Sequence, residues 1–325
     1  MTTEEPDVHI VILAFNAGTS GLVVNGPGIS LRNLIIFMNR FYPNVSFSLF
    51  TRFRANILSP NLKCFSVKNK QQVNRSIKSC DVVHLWSGLR KSFFELASKA
   101  NLLGKPVIVG PNLIDTVDLA TERSFFKKVK FKKLLAPNPL IGESICLKHN
   151  VNPSMVTDFM VGPDANLWKP PSNYADYILW KGNSKQPVKG LTLAKEVANN
   201  LSEYKFLFMG EESRYSYEDH IYDASRAMLY INTSISETKG MAQLEQMAAG
   251  VPSVVSNGVY SKGIDGHTGF FSERSVDSFC SLIKKVLSDP KKLSLMRDAS
   301  REYVRKNFCE ESISRKYMEI ISNVS

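Results

Sequence analysis

The stretch VHIVILAF, residues 8–15, is followed by a glycine-rich segment over residues 18–28 and by a helical pattern from about Ser30 to Phe41. An unbroken apolar run of this length is typical of a parallel strand that is buried on both faces. The glycines between strand and helix favour a flexible turn. The stretch therefore predicts a βα unit, from which parallel sheets are built.

Strand and helix patterns keep alternating along the chain, which favours open, doubly wound parallel sheets. At Trp168-Lys169-Pro170-Pro171-Ser172-Asn173 two prolines and polar residues interrupt both patterns, so we place a domain boundary there, with domains over 1–170 and 171–325. The expected fold class is α/β with two Rossmann-like domains. Strands are expected at 8–15, 45–51, 81–86, 105–109, 134–137, 155–159, 177–180, 205–209, 227–232 and 253–256, and helices at 30–41, 71–78, 91–103, 116–131, 140–150, 189–201, 217–226, 276–288, 291–307 and 310–321.

The composition indicates a soluble, intracellular globular protein. Hydrophobic residues make up 43% of the 325 positions, and no window approaches the ~18 uninterrupted apolar residues of a membrane span. Residues 1–8 are acidic and polar, unlike a signal peptide. The five cysteines are scattered, without the paired spacing of a metal site, so reduced thiols and no structural zinc are expected.

The positive charge is concentrated in the first half. Residues 1–170 hold 21 Lys and Arg against 11 Asp and Glu (+10), and residues 171–325 hold 20 against 19 (+1). Such a basic half favours an acidic partner, namely nucleic acid, an anionic membrane or a phosphorylated acceptor. Within it, residues 124–135 predict a basic amphipathic helix; the alternative is a solvated face ahead of a core strand. Its lysines are Lys127, Lys128, Lys130, Lys132 and Lys133.

Two carboxylates, Glu237 and Glu245, lie eight residues apart around the start of a helix-forming run. The free N–H groups of Gly240, Met241 and Ala242, together with the positive end of the helix dipole, suit a diphosphate. A carboxylate beside phosphates is understandable if it accepts hydrogen bonds from the hydroxyls of a sugar. The alternative for this spacing is a pair of solvated or capping carboxylates.

The glutamates lie in a longer pattern that carries a resemblance. Glu237-x7-Glu245 is followed by Ala249-Gly250-Val251-Pro252, by an apolar strand at 253–256 and by the turn at 266–271. Residues 234–271 closely resemble family 4 of the retaining glycosyltransferases. Two further segments, 81–84 (DVVH) and 162–170 (GPDANLWKP), look like the family's patterns at a first-domain strand end and at the crossing between domains.

This resemblance implies the GT-B architecture, in which two Rossmann-like domains face each other across a cleft and the last helix, about 310–325, packs back on the first domain. It implies transfer of a sugar with retained configuration from a nucleoside-diphosphate sugar, most often a UDP-sugar, without a metal or other cofactor. The chain also has no Asp-x-Asp at a strand end.

The resemblance also implies roles for single residues. Glu245 contacts the ribose, Glu237 contacts the transferred sugar, and Lys189 neutralises the diphosphate. Asn183 stands where the family has an arginine, so Lys185 is the expected substitute, and Asn112 stands where the family has a histidine. The expected catalytic residues are Glu237, Asn112 and Lys189, and the expected donor-binding residues are Gly26, Gly28, Gly182, Asn183, Lys185, Lys239, Gly240, Met241, Ala242 and Glu245.

Several interpretations stay open at this point. The acceptor is expected to be a phosphate-rich or membrane-associated glycan or lipid, with modified DNA as second choice, and the protein is expected in the cytoplasm, peripheral on an anionic membrane. Because Asn183 and Asn112 replace cationic groups, a non-catalytic protein that binds sugar nucleotides or nucleic acid is an alternative. A nucleotide-sugar epimerase with the same fold is another.

Overall fold

The computed structural model describes residues 8–14, 26–52, 57, 59–87, 91–112, 119–210, 217–238, 240–257, 263 and 265–325. The chain forms two compact units, one of residues 1–161 with 310–325 and one of residues 162–309. The crossing into the second unit thus lies before the expected boundary at 170/171. The reason is Trp168, which is 1% exposed and packs edge-on against His220 of the second unit.

The first unit holds a seven-stranded parallel sheet with the order β3-β2-β1-β4-β5-β6-β7. Since the order reverses between β1 and β4, the sheet is doubly wound. Its elements are β1 (His9–Ala14), α1 (Gly26–Phe41), β2 (Ser46–Thr51), β3 (Leu62–Ser66), α2 (Lys70–Ser79), β4 (Val82–Ser87), α3 (Lys91–Leu102), β5 (Val107–Asn112), α4 (Leu119–Lys128), β6 (Lys133–Ala136), α5 (Pro139–His149), a 3₁₀ turn (Pro153–Met155) and β7 (Val156–Asp158).

The second unit holds a five-stranded parallel sheet with the order β12-β11-β10-β8-β9. Its elements are β8 (Tyr177–Lys181), a 3₁₀ turn (Pro187–Lys189), α6 (Leu191–Asn200), β9 (Lys205–Met209), α7 (Tyr217–Arg226), β10 (Leu229–Asn232), α8 (Met241–Ala248), β11 (Ser253–Ser256), β12 (Gly269–Ser272), α9 (Val276–Leu287) and α10 (Pro290–Asn307), after which α11 (Glu310–Ser322) belongs to the first unit. The predicted α/β class with two doubly wound units is confirmed.

Apolar burial explains why these segments form strands. All of Ile10 to Ala14 in β1 is fully buried, as expected for a central parallel strand with helices on both faces. Strand β3 was not predicted, because its sequence LKCFS lies at the sheet edge with mostly exposed or half-buried side chains. An edge strand of this kind lacks the apolar run by which buried strands are recognised.

The start of α1 corrects one expectation. Gly26 and Gly28 were expected in a loop, but they lie in the first turn of α1, which begins at Gly26. Pro27 between them has the backbone angle of a helix start and lacks only an N–H that would have no helical partner there. Its carbonyl accepts a hydrogen bond of 3.1 Å from Trp86 Nε1.

The last helix is joined to the first sheet by a buried hydrogen-bond chain. His84 Nε2 lies 2.8 Å from the Gly110 carbonyl oxygen, which only accepts, so Nε2 carries the proton. Nδ1 therefore accepts from the Tyr317 hydroxyl, 2.7 Å away. Burial lowers the pKa of His84 to about 4, and the Gly110 hydrogen bond offsets this only in part. His84 is consequently a neutral connector between β4 and α11.

Candidate functional site

The candidate site lies at the carboxyl edge of the second sheet. Strands β8 and β10 are parallel neighbours and end at Lys181 and Asn232. The segments that follow them meet beyond this edge, where Ile235 N donates to the Val188 carbonyl over 2.7 Å. In open parallel sheets this is the edge at which ligands bind.

Lys189 and Glu237 meet in this place. Lys189 Nζ donates to Glu237 Oε1 over 2.8 Å, and the Ser234 hydroxyl donates to the same oxygen over 2.9 Å. The lysine side chain is 25% exposed and the glutamate 15%, so solvent still reaches the pair. Two residues that were predicted as donor contacts are thus brought within hydrogen-bond distance of each other.

The backbone around Lys189 differs from the prediction. Lys189 was expected in the first turn of a helix over 189–201, but it ends a 3₁₀ turn, and α6 begins only at Leu191. Gly190 between them has φ +69°, and a Cβ on it would lie 2.1 Å from the Thr233 carbonyl oxygen. Only glycine fits this close approach, and it turns Lys189 out of the helix.

The second glutamate has a partner that was not predicted. Lys181 Nζ lies 2.5 Å from Glu245 Oε2, and the two side chains are 12% and 5% exposed. The ammonium also lies 4.8 Å from the centroid of the Trp168 ring. The available signal was a lysine that closes the otherwise apolar strand YILWK, where a charge is expected only if it has a partner.

The N-terminus of α8 points to the same edge. Gly240 caps it with φ +61° and without a side-chain hydrogen bond, so the first N–H groups, those of Met241 and Ala242, have no partner within the helix. Met241 is 7% exposed and Ala242 is half-buried. Lys239, also predicted here, lies outside the described residues. The arrangement offers amide donors and the positive end of a helix dipole at the sheet edge where the two lysine–glutamate pairs also lie.

Asn183 and Lys185 form the turn after β8. Asn183 Oδ1 accepts a hydrogen bond of 3.0 Å from the backbone N–H of Lys185, the pattern of an Asx turn. The Lys185 side chain is exposed. Gly182 precedes this turn and lies close to Trp180: a Cβ added to Gly182 would lie 3.0 Å from Trp180 Cζ2. The Asn183 side chain holds the backbone of the turn through its hydrogen bond to Lys185 N.

The predicted residues of the first unit lie at the carboxyl edge of their own sheet. Asn112 is the last residue of β5 and is paired with Ser87 at the end of β4. Its Nδ2 is buried and has no hydrogen-bond partner among the described residues, and such a donor calls for an acceptor. Gly26 and Gly28 open α1, which follows β1 at this edge.

The five lysines of 124–135 do not share one helix. Helix α4 ends at Lys128, and β6 begins at Lys133, because Val129 turns into the core, where it is 3% exposed. A helix between parallel strands runs back toward the amino edge of the sheet, so this segment lies opposite the edge with Asn112. Lys127, Lys128, Lys130 and Lys132 are exposed, and Lys133 Nζ donates to the Ser154 carbonyl over 2.9 Å.

Burial and charge shift two titratable groups near the site. Burial, and after it the charge of Lys181, lowers the pKa of His220 to about 2, so His220 is neutral at physiological pH. Burial also raises the pKa of Tyr230 well above 10, and the negative charges of Glu237 and Glu245 act in the same direction.

Among the described residues, no group of three or more His, Cys, Asp or Glu is placed to hold a metal ion, and no helix is long and apolar enough to cross a membrane.

Residues 181–303 match the family model of the group 1 glycosyl transferases. The match begins at Lys181 and includes Lys189, Glu237 and Glu245. No curated protein has a significant sequence match to the chain.

Solved structures resemble the chain over nearly its whole length. A glycosyltransferase from Rickettsia africae has a TM-score of 0.75 at 14% identity and covers 98% of this chain and 99% of its own. Anabaena HepE, in complex with UDP and glucose, has a TM-score of 0.73 at 13% identity, with 97% and 100% covered. Sucrose-phosphate synthase from Thermosynechococcus elongatus has 0.71 at 14% identity, with 97% and 98% covered. The chain therefore has the two-domain GT-B fold, and the match over 181–303 supports a glycosyltransferase.

Proposed function

We propose that the protein is a retaining glycosyltransferase that transfers a sugar from a UDP-sugar to an acidic acceptor. The observation that carries the proposal is the pair of lysine–glutamate contacts beside the N-terminus of α8, Lys189 with Glu237 and Lys181 with Glu245. The group 1 match over these residues and the UDP and glucose bound by Anabaena HepE support the choice of donor.

The charges of the site suit such a donor. The charges of the two lysines and the two glutamates sum to zero, and the N-terminal amides of α8 add the positive end of a helix dipole. Lys189, which is 25% exposed, is accessible to a diphosphate, while carboxylates accept hydrogen bonds from neutral hydroxyls. In this proposal Glu245 binds the ribose, Glu237 binds the transferred sugar, and Lys189 with the amides of Met241 and Ala242 holds the phosphates.

The reaction follows from positioning and charge. The bond between the anomeric carbon and the diphosphate oxygen breaks, and the acceptor oxygen bonds to the same face of that carbon while its proton passes to the released phosphate. Lys189 and the α8 amides stabilise the charge that develops on the leaving group. Glu237 orients the sugar. Asn112 stays a proposed catalytic residue, as a neutral hydrogen-bond donor.

The acceptor is proposed from the charge of the first half of the chain. Residues 1–170 carry an excess of ten positive charges, 21 against 11, which favours an acidic glycan or lipid at an anionic membrane, with modified DNA as the second choice. The exposed lysines near the end of α4 lie at the amino edge of the sheet. We therefore assign them to attraction of the acceptor's surroundings and not to contact with the reacting hydroxyl.

A thermal-shift screen over nucleotide sugars tests the donor, because a ligand that binds only the native state raises the apparent melting temperature. UDP-sugars are expected to stabilise the protein most. Turnover is then measured with and without acceptors. Binding without transfer to any acceptor would indicate a non-catalytic protein, and an altered sugar nucleotide in the absence of an acceptor would indicate an epimerase.

Acceptor class is tested by binding at increasing salt. Anionic vesicles are expected to bind the protein, with an affinity that falls as salt rises, while duplex DNA binds more weakly. Salt-dependent binding to DNA in the absence of vesicle binding would reverse the choice of acceptor.

A further inference from the structure

Trp168 and Lys181 have no place in the roles assigned so far, yet they contact the proposed ribose site. Lys181 Nζ lies 2.5 Å from Glu245 Oε2 and 4.8 Å from the centroid of the Trp168 ring. Indole is the aromatic ring that attracts cations most strongly. The ammonium is therefore restrained by a carboxylate and by an aromatic face.

The three side chains are buried together. Trp168 is 1% exposed and Glu245 4%, and the Lys181 side chain is 12% exposed. Burying either charge alone is unfavourable, and mutual pairing offsets that cost. Removing one partner would leave the other charge with reduced solvation, so the position of Glu245 depends on Lys181.

The backbone that presents Trp168 is itself held by a turn. The Asp164 carbonyl accepts hydrogen bonds of 3.0 Å from the N–H groups of Leu167 and Trp168, and Asp164 Oδ1 accepts one of 3.0 Å from Asn166 N. Asp164 is 4% exposed. This turn holds the Trp168 indole against the Lys181 ammonium. Residues 162–170 therefore position a side chain beside the proposed ribose site.

On the other side, Trp168 packs edge-on against His220, with 6.4 Å between the ring centroids. Burial and the nearby Lys181 lower the pKa of His220 to about 2, so this ring adds no second positive charge. The Lys181 ammonium thus interacts with Glu245 without competition from His220.

We propose that Lys181, held on the indole of Trp168, is a positioning residue that orients the Glu245 carboxylate toward the ribose hydroxyls of the donor. The inference rests on the function proposed above, in which Glu245 binds the ribose. Lys181 is the one side chain of the described residues that donates to Glu245. A carboxylate has about four lone-pair sites, so Oε1 stays available to the ribose.

The test is the Kd of UDP, measured by calorimetry for the wild type and for Lys181→Met, which keeps the chain length and removes the charge. Lys181→Met is expected to bind UDP about ten- to a hundredfold more weakly, the range for losing a charged hydrogen bond. Its kcat at saturating UDP-sugar is expected to stay near that of the wild type, because Lys181 acts on donor binding. Unchanged or tighter UDP binding would overturn the inference.

Lys205→Met is the matched control. Lys205 begins β9 at the opposite edge of the same sheet and pairs with Asp176, and both side chains are 73% exposed. Lys205→Met removes a lysine–carboxylate pair from the same unit and leaves every residue of the proposed site unchanged, so the affinity for UDP should not change. A UDP affinity that falls equally in both variants would attribute the effect to net charge and contradict positioning.

A double-mutant cycle separates action through Glu245 from direct contact with the phosphates. In a Glu245→Gln background, Lys181→Met is expected to cause no further loss of UDP affinity. A loss that persists undiminished in this background would assign Lys181 to the phosphates and overturn the inference. Lys181→Gln, which keeps a neutral donor, replaces Lys181→Met in the cycle if the latter lowers the Tm so far that the protein unfolds.

Trp168→Phe tests the aromatic support. A smaller ring attracts the ammonium less, so a two- to fivefold loss of UDP affinity is expected, corresponding to about 0.5–1 kcal/mol, and none in the Lys181→Met background. A loss of equal size in both backgrounds would show that Trp168 acts independently of Lys181.

Wild-type protein that binds neither UDP nor any UDP-sugar would overturn the proposed function and this inference together. If the wild type binds UDP and Lys181→Met binds it equally well, this inference alone is overturned.

Discussion

Lys189 Nζ donates a 2.8 Å hydrogen bond to Glu237 Oε1, although the two residues follow different strands of the second sheet. Strand β8 leads to the lysine and β10 to the glutamate, and these strands are neighbours. The close approach of Gly190 to Thr233 brings the two segments together. A cation and a carboxylate are thereby placed side by side at the edge where a donor diphosphate and its sugar are proposed to bind.

The two glutamates are expected to affect different kinetic parameters. Glu245→Ala should raise the donor Kd about ten- to a hundredfold, because a charged hydrogen bond to the ribose is lost in ground state and transition state alike. Glu237→Ala should lower kcat by a similar factor, because its contact orients the reacting sugar. Calorimetry with UDP measures the Kd, steady-state kinetics with a UDP-sugar measure kcat, and wild-type-like values of both quantities in both variants would refute the site.

Lys189→Met should weaken binding of UDP much more than binding of uridine, since the lysine is proposed to contact the phosphates. A loss of about tenfold or more is expected. Lys185→Met is the matched control, because Lys185 is exposed in the same loop. If Lys185→Met instead shows the larger loss, the phosphate contact belongs to Lys185.

Gly190→Ala should destabilise the protein strongly. A left-handed conformation costs a non-glycine residue roughly 1–2 kcal/mol, and the new Cβ would also lie 2.1 Å from the Thr233 carbonyl oxygen. Gly104→Ala is the control, because Gly104 has a similar φ of +71° but no atom of the described part of the chain within 4 Å of an added Cβ. Denaturant unfolding should therefore show a clearly larger loss for Gly190→Ala, and equal losses would contradict the close contact.

The free energy of unfolding should decrease as the pH falls, because the buried histidines stay neutral in the folded protein while the same histidines take up protons in the unfolded chain. The pKa of His84 is about 4 in the folded protein and about 6.5 in the unfolded chain, so the unfolded state takes up the proton first. The contribution of neutral His84 is complete above pH 6.5 and is lost as the pH falls from 6.5 toward 4, by up to about 1.4 kcal/mol per pH unit.

This slope is measured from the free energy of unfolding between pH 6.5 and 5. His84→Gln should reduce it, whatever its effect on absolute stability. His220, whose pKa is lowered to about 2, adds to the slope over the same window. An unchanged slope in His84→Gln would contradict the neutral, buried state of His84.

Local sequence was sufficient for a strand that is buried on both faces, such as His9–Ala14, because its continuous apolar run is visible in one dimension. It was insufficient for β3, whose side chains are mostly exposed, and for the start of α1, where glycines resemble a loop. The helix expected over 116–131 was predicted too long, since α4 ends at Lys128, because periodicity did not show that Val129 leaves the helix for the core.

The sequence by itself determined the α/β class, the two doubly wound units and the motif that contains Glu237 and Glu245, since these depend on patterns within a few dozen residues. Only the tertiary structure decided that each glutamate has its own lysine, and that the partner of Glu245 is Lys181 on the ring of Trp168. Lys181 and Glu245 are 64 positions apart. Which charges meet at that separation depends on strand order and register, and these are set by the packing of the whole sheet.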